Sequence, residues 1–217
     1  MLHYIKEVLD NMPNDWIGLT THRLDIYNEK LAKSEFLNEF EALYNEKNAT
    51  TVALANLPTA YDYIRLGHPL SSILEWSVAR LLDIESDSVI SFDSITVPVL
   101  AVLRKNLLDG KKTQINYTGK LPAIFDAEAL KSVYGYHFEL NQVNNPEDIS
   151  AFDGSTVYLS QENQIKAEPI ANSIDFHVSV YENIGSLLVI NGEKNAHYVS
   201  DIQHVRRRET IAMTPSN

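Results

Sequence analysis

The chain has 217 residues, 44% hydrophobic and 22% charged, and its 18 basic and 29 acidic side chains leave a formal charge of −11. That balance argues against general nucleic-acid binding and against docking on anionic membranes, since both draw on Lys and Arg. Cysteine is absent, which excludes disulfides, thiolate nucleophiles, zinc fingers and iron–sulfur clusters. No apolar run nears the roughly 18 residues of a membrane span, and Met1–Glu7 lacks the apolar region of a signal peptide, so a cytoplasmic protein is expected.

The first fifty residues read as helix. Ile5 to Leu9 is short and amphipathic, and Leu24, Tyr27, Leu31, Phe36, Phe40 and Leu43 recur at helical steps. Polar Asn45–Thr51 and the Asn56-Leu57-Pro58-Thr59 break read as loops. Residues 1–55 are therefore expected to form a helical arm, and residues 56–217 the main domain. Beyond residue 70 the pattern alternates. Ser71–Leu82 reads as helix, Ser88–Phe92 as strand, and Val97–Leu108 as a helix stopped by Asp109-Gly110. Thr113–Tyr117 reads as strand, and Asp126 is placed to cap a helix starting at Ala127. Tyr136–Leu140, Ser155–Ser160 and Ser186–Asn191 read as strands, Ile170–Tyr181 as helix, and Thr210–Met213 as a last strand. Strands spaced by helices of about ten residues predict an α/β domain, with a mostly parallel sheet, flanking helices and a preceding helical arm.

Several familiar signatures are missing: there is no Gly-x-Gly-x-x-Gly, no Walker loop and no Gly-x-Ser-x-Gly elbow. His197, Asp201 and His204 would share one helix face, but no further ligand is near, and a solvated flank is the expected reading rather than a metal site. Arg206-Arg207-Arg208 is the only dense basic run, and in so acidic a chain an intramolecular or subunit contact is expected.

The most informative segment runs from Tyr63 to Glu75. Tyr63 and Arg65, two residues apart on an extended stretch, point to one side and can reach one anion; a helix opened by Pro69 follows. This stretch resembles the Tyr-x-Arg-x-x-Asn-Pro-Thr-x-x-x-Leu-Glu segment of the cysteine/methionine-metabolism family of fold type I pyridoxal-phosphate enzymes. Tyr63, Arg65, Pro69, Leu74 and Glu75 match in register, while His68 replaces the family Asn and Leu70 the Thr. The resemblance continues downstream. Asp93-Ser94-Ile95-Thr96-Val97 stands where the family has its phosphate-cradling Ser-Gly-Met-Ala turn, with Ile95 in place of Gly. Asn116-Tyr117-Thr118-Gly119 resembles Tyr-Gly-Gly-Thr, whose Tyr stacks on the cofactor ring. Val157–Ser160 resembles the strand before the Ser-Asn-Pro loop. Gly185–Asn191 resembles Gly-Ala-Leu-Leu-Val-Val-Asp, with Asn191 where the family keeps an Asp against the pyridine nitrogen.

The resemblance covers residues 60–217 and implies the large-domain fold of those transferases. It implies pyridoxal phosphate, or another phosphate-bearing ligand, held by Tyr63, Arg65, Ser94, Thr96, Tyr117 and Asn191, with Tyr63 and Arg65 reaching into a neighbouring subunit of a homodimer. The Schiff-base Lys would fall near Met213–Ser216, yet no Lys follows Lys194. Without that amine the covalent resting state cannot form, so no catalytic residue is assigned and the chain is not expected to be active alone. The chain stops about where that lysine should be. A degenerate or shortened transferase- or lyase-like protein is therefore expected. The alternatives are a non-catalytic scaffold acting through dimerisation and one half of a two-chain enzyme.

Overall fold

The computed structural model describes residues 1–17, 33–59, 68–123, 125–166 and 168–209, with the backbone alone at 207–209. Seven α-helices and six strands are formed among the described residues: α1 (Leu2–Asn11), α2 (Ser34–Glu46), α3 (Thr51–Ala55), α4 (Pro69–Leu82), β1 (Val89–Phe92), α5 (Val97–Leu108), β2 (Thr113–Tyr117), α6 (Ala127–Ser132), β3 (Glu139–Gln142), β4 (Ser155–Glu162), β5 (Phe176–Tyr181), β6 (Gly185–Ile190) and α7 (Tyr198–Glu209). The strands form one sheet in the order β1-β6-β5-β4-β2-β3. β2–β3, β2–β4 and β4–β5 pair in parallel, whereas β6 is antiparallel to both β5 and β1. Five strands thus share one direction and only β6 opposes them. The chain is an α/β protein with a mostly parallel sheet and flanking helices.

Local chemistry explains the boundaries. Pro69 opens α4 with its φ already helical, and the His68 Nδ1 accepts the Leu70 N–H at 3.2 Å as a cap. Asp126 caps α6 by accepting the Ala129 N–H at 2.9 Å. The loop expected over Asn45–Thr51 contains a helix start, since the Thr50 hydroxyl accepts the Ala53 N–H and opens α3.

One element differs in kind from its expectation. Residues 170–181 do not form a helix: Phe176–Tyr181 is strand β5, joined to β6 by a hairpin through Asn183, which adopts φ 61°. Phe176, Val178 and Val180 enter the main core while His177, Ser179 and Tyr181 face the other way, the alternation of a strand with two different faces. Expected helical positions Leu24, Tyr27 and Leu31, and the expected strand Thr210–Met213, lie outside the described residues.

The two faces of the sheet are covered unequally. On the core face, Ile90, Phe92, Ile115, Val157, Phe176 and Leu188 pack under α5 and α7 through Val99, Val102, Leu103, Tyr198 and Ile202. On the second face, Val89, Leu187 and Val189 meet Val78 and Ala79 of α4. The arm builds its own apolar cluster from Tyr4, Val8, Trp16, Phe36, Phe40 and Leu54, and completes it with Ile73 and Trp76 of α4. The helical arm and the sheet therefore share α4 as a common wall.

Gly154, at the entry to β4, is held to glycine by space. A Cβ there would stand 2.5 Å from the Lys112 carbonyl oxygen and 2.6 Å from the Phe152 ring. The carbonyl belongs to the backbone leading into β2 and also accepts the Ser155 N–H at 2.9 Å, so it cannot yield without loss of that bond. Gly154→Ala is expected to destabilise by about 1–3 kcal/mol, the range of overpacked sites; chemical denaturation measures it, and an unchanged midpoint would refute the assignment.

Candidate functional site

Parallel α/β sheets bind ligands beyond the carboxyl ends of their strands, and Ser94, Thr96 and Tyr117 all lie at that edge. Ser94 follows β1, Thr96 precedes the first turn of α5, and Tyr117 ends β2. β1 and β2 are separated in the sheet by β6, β5 and β4, so the two strand ends stand about 19 Å apart at ordinary strand spacing. Ile95, Val97, Leu100 and Tyr117 all pack against the core-face cluster.

The start of α5 is already satisfied in part from within. The Ser94 hydroxyl accepts the Val97 N–H at 3.2 Å, and its carbonyl accepts the Ser186 hydroxyl. Pro98 has no N–H to offer. A phosphate at this helix end would lose two of the backbone donors that make such ends attractive to anions.

Asn191 is elsewhere. Because β6 runs against the other strands, Asn191, the residue after it, reaches the opposite edge of the sheet. There the Asn191 side chain donates to the carbonyls of Ile174 at 2.8 Å and Ala171 at 3.2 Å, and its N–H bonds the Asp175 carbonyl at 2.8 Å. Lys194 is at the same edge, paired with Asp175 at 2.7 Å. The residues described here do not fit the pyridoxal group as the resemblance arranged them, since the ring partner and the phosphate site occupy opposite edges. Tyr63, Arg65 and Met213–Ser216 lie outside the described residues.

The remaining candidates take structural places. The His197 ring lies 4.5 Å from that of Tyr198, and Asp201 pairs with Lys105 at 3.0 Å. Among the described residues no group of three or more His, Asp or Glu could hold a metal.

Arg206 is buried and makes an intramolecular contact, donating to Glu75 at 2.6 Å. Glu75, the last residue of the Tyr63–Glu75 resemblance, is itself fully enclosed. It receives Lys33 from the arm at 2.9 Å, and Ser91 of β1 through its N–H at 2.8 Å and its hydroxyl at 2.7 Å. Burial raises the Glu75 carboxyl, but Lys33, Arg206 and the Ser91 bond outweigh it and hold the group below its ordinary value.

A cavity of about 830 Å³ opens on the second face, beside α4. Its physical origin is the β4–β5 crossover. Parallel sheets are usually covered on both faces by helices, but the described residues between Glu162 and Phe176 contain none, and Pro169 interrupts them. The hollow lies between Val78 and Leu82 of α4, the turn at Pro146-Glu147, and the loop around Ile170. Its floor carries Tyr158, His177, Ser179 and Tyr181. His177 stacks on Tyr158 with centroids 4.9 Å apart, and its Nε2 meets the hydroxyls of Ser160 at 2.9 Å and Ser179 at 3.3 Å. Burial lowers the His177 pKa to about 4, so the imidazole is neutral at pH 7. Burial and the nearby Glu162 push the Tyr181 hydroxyl up to about 12. Sequence reasoning missed this site because most of its floor, His177, Ser179 and Tyr181, comes from the strand expected to be a helix.

Among the described residues the fold is an α/β domain whose second face carries α4 and, beside it, this hollow. No protein-family model matches the sequence, and no curated protein matches it. Among solved structures, the cystathionine γ-lyase of Lactobacillus plantarum complexed with L-serine is similar at 9% identity, over 98% of this chain and 60% of that one, with a TM-score of 0.48. The metB protein of Corynebacterium glutamicum is similar at 14% identity, over 72% of this chain and 51% of that one, at 0.44. A putative O-acetylhomoserine (thiol)-lyase of Campylobacter jejuni, solved with a pyridoxyl-lysine monophosphate, is similar at 13% identity, over 95% and 63% of the two chains, at 0.43. The chain thus spans about half to three-fifths of these proteins. No helix among the described residues is long and apolar enough to cross a membrane.

Proposed function

We propose that this chain is a degenerate relative of the pyridoxal-phosphate enzymes of sulfur amino-acid metabolism and acts as a binding or assembly domain, without covalent pyridoxal chemistry. The observation that carries the reading is the position of Asn191, which matches the family Asp in sequence but is tied to Ala171 and Ile174 at the edge away from Ser94 and Tyr117. The Ser94 cap on Val97 and the missing donor at Pro98 support it, because both weaken a phosphate cradle. Assembly as a homodimer belongs to the same proposal. It is supported by β3, which among the described residues pairs with β2 alone, and by the exposed Val133 and Tyr134 between α6 and β3.

Titration of the purified chain with pyridoxal phosphate, followed by borohydride, tests the chemistry. The expected result is no saturable visible band and no stoichiometric pyridoxyl adduct by intact mass. A single-site adduct on a lysine would overturn the reading. Sedimentation at micromolar concentration tests the dimer, and a monomer at all concentrations would remove that part of it.

A further inference from the structure

We propose that the cavity on the second face is a binding site for a small organic cation, a protonated amine carried on an apolar or aromatic body. At about 830 Å³ it lies within the range of small-molecule sites. Its walls are largely aliphatic, from Val78, Leu82, Ile165, Ile170, Leu187 and Val189, which suits an apolar body. Polar groups converge at the floor. Both hydrogen bonds of His177 use Nε2, and Nδ1 takes none among the described residues, leaving it for a guest. Tyr158 and Tyr181 add aromatic surface to the same floor, where one face of Tyr158 is already taken by the His177 ring.

Charge selects the sign of the guest. The lining holds three carboxylates, Glu147, Glu162 and Glu168, against one ammonium, Lys166. Glu162 is the innermost of these, its side chain only 13% exposed, and Lys166 holds it at 3.0 Å. A guest ammonium would share that carboxylate, whereas a guest carboxylate or phosphate would meet an excess of like charge. This site stands apart from the pyridoxal reading, and a failed cofactor titration leaves it untouched.

The test is a titration of the full chain, followed by amide NMR, with phenethylamine and with its anionic counterpart hydrocinnamate. Phenethylamine is expected to give saturable shifts in β4, β5 and residues 170–172 at up to about 10 mM, a range suited to fragment-sized ligands, with hydrocinnamate at least about tenfold weaker. Glu162→Gln should weaken the amine about tenfold, and Lys166→Met, which removes a competing cation, should tighten it. The unbound spectra establish that each variant is folded, and Lys166→Met alone still tests the sign if Glu162→Gln is not. Absence of saturable shifts with phenethylamine, equal binding of hydrocinnamate, or variants that leave the amine unaffected would overturn the proposal.

Discussion

Glu75→Gln is expected to cost about 3–5 kcal/mol at pH 7, the range measured when one partner of a buried ion pair is removed. The carboxylate is 1% exposed and bonds two cations that are themselves largely enclosed, Lys33 at 12% and Arg206 at 4%. Glutamine keeps the shape but takes the counter-charge from Arg206 and leaves Lys33 only the exposed Asp87, at 3.5 Å. Lys33→Met and Arg206→Met should each cost less, because Glu75 retains one partner in either case. The pH dependence has a definite sign. The folded carboxyl titrates below its ordinary value of 4.5, so the unfolded chain takes up the proton first. Its contribution is therefore fully present above that value and is lost as pH falls through the lower, folded one. Urea denaturation at pH 7 and pH 4 should show the onset of this loss in the parent chain and a smaller change in Glu75→Gln. Variants within about 1 kcal/mol of the parent at pH 7 would mean that the charges are solvated in solution.

Trp76→Ala is expected to cost a similar 3–5 kcal/mol, with a different distribution. Trp76 is 3% exposed and meets Phe40 edge-on at 5.3 Å and Tyr44 at 5.1 Å, with the Arg80 guanidinium 5.4 Å above its ring. Its deletion leaves a large void between α4 and the arm while the core-face cluster keeps every contact. Hydrogen exchange should show amides of α1–α3 losing protection well before those of β4–β6. Uniform loss across the chain would show instead that arm and sheet unfold as one unit.

The parts of this fold that could be read from residues alone are those whose neighbours in space are also neighbours in sequence. Val97–Leu108 announces a helix through its length and its Asp-Gly stop. Thr113–Tyr117 announces a strand through its position between such helices. β5 is harder, because Ile170, Ile174, Phe176, Val178 and Tyr181 fit a helical spacing nearly as well as an alternating one; the hairpin at Glu182-Asn183 decides between them. The same hairpin explains the site. Ser94, Thr96 and Tyr117 fall at one edge because strand ends leading into helices always do in such sheets, whereas Asn191 depends on the direction of β6. Direction is a property of pairing with β1 and β5, and no residue within Ser186–Asn191 carries it. Likewise Glu75 reads as one acidic residue in an apolar helix, Ile73-Leu74-Glu75-Trp76, and its two cations come from 42 residues before and 131 after.

The strand order also constrains how the molecule is made. Among the described strands β1 is the first to be synthesised, and its one partner in the sheet is β6, the last of them. At usual rates of synthesis, the 93 residues from Phe92 to Gly185 take on the order of 5–20 s to appear. During that interval Val89–Phe92 has no described strand to join, and its early cover is α4 over Val89 on one face and α5 over Ile90 and Phe92 on the other. Nascent chains of this protein are therefore most exposed to chaperones before β6 emerges, and substitutions that loosen α4 or α5 should reduce yield in cells more than they reduce the stability of the finished fold.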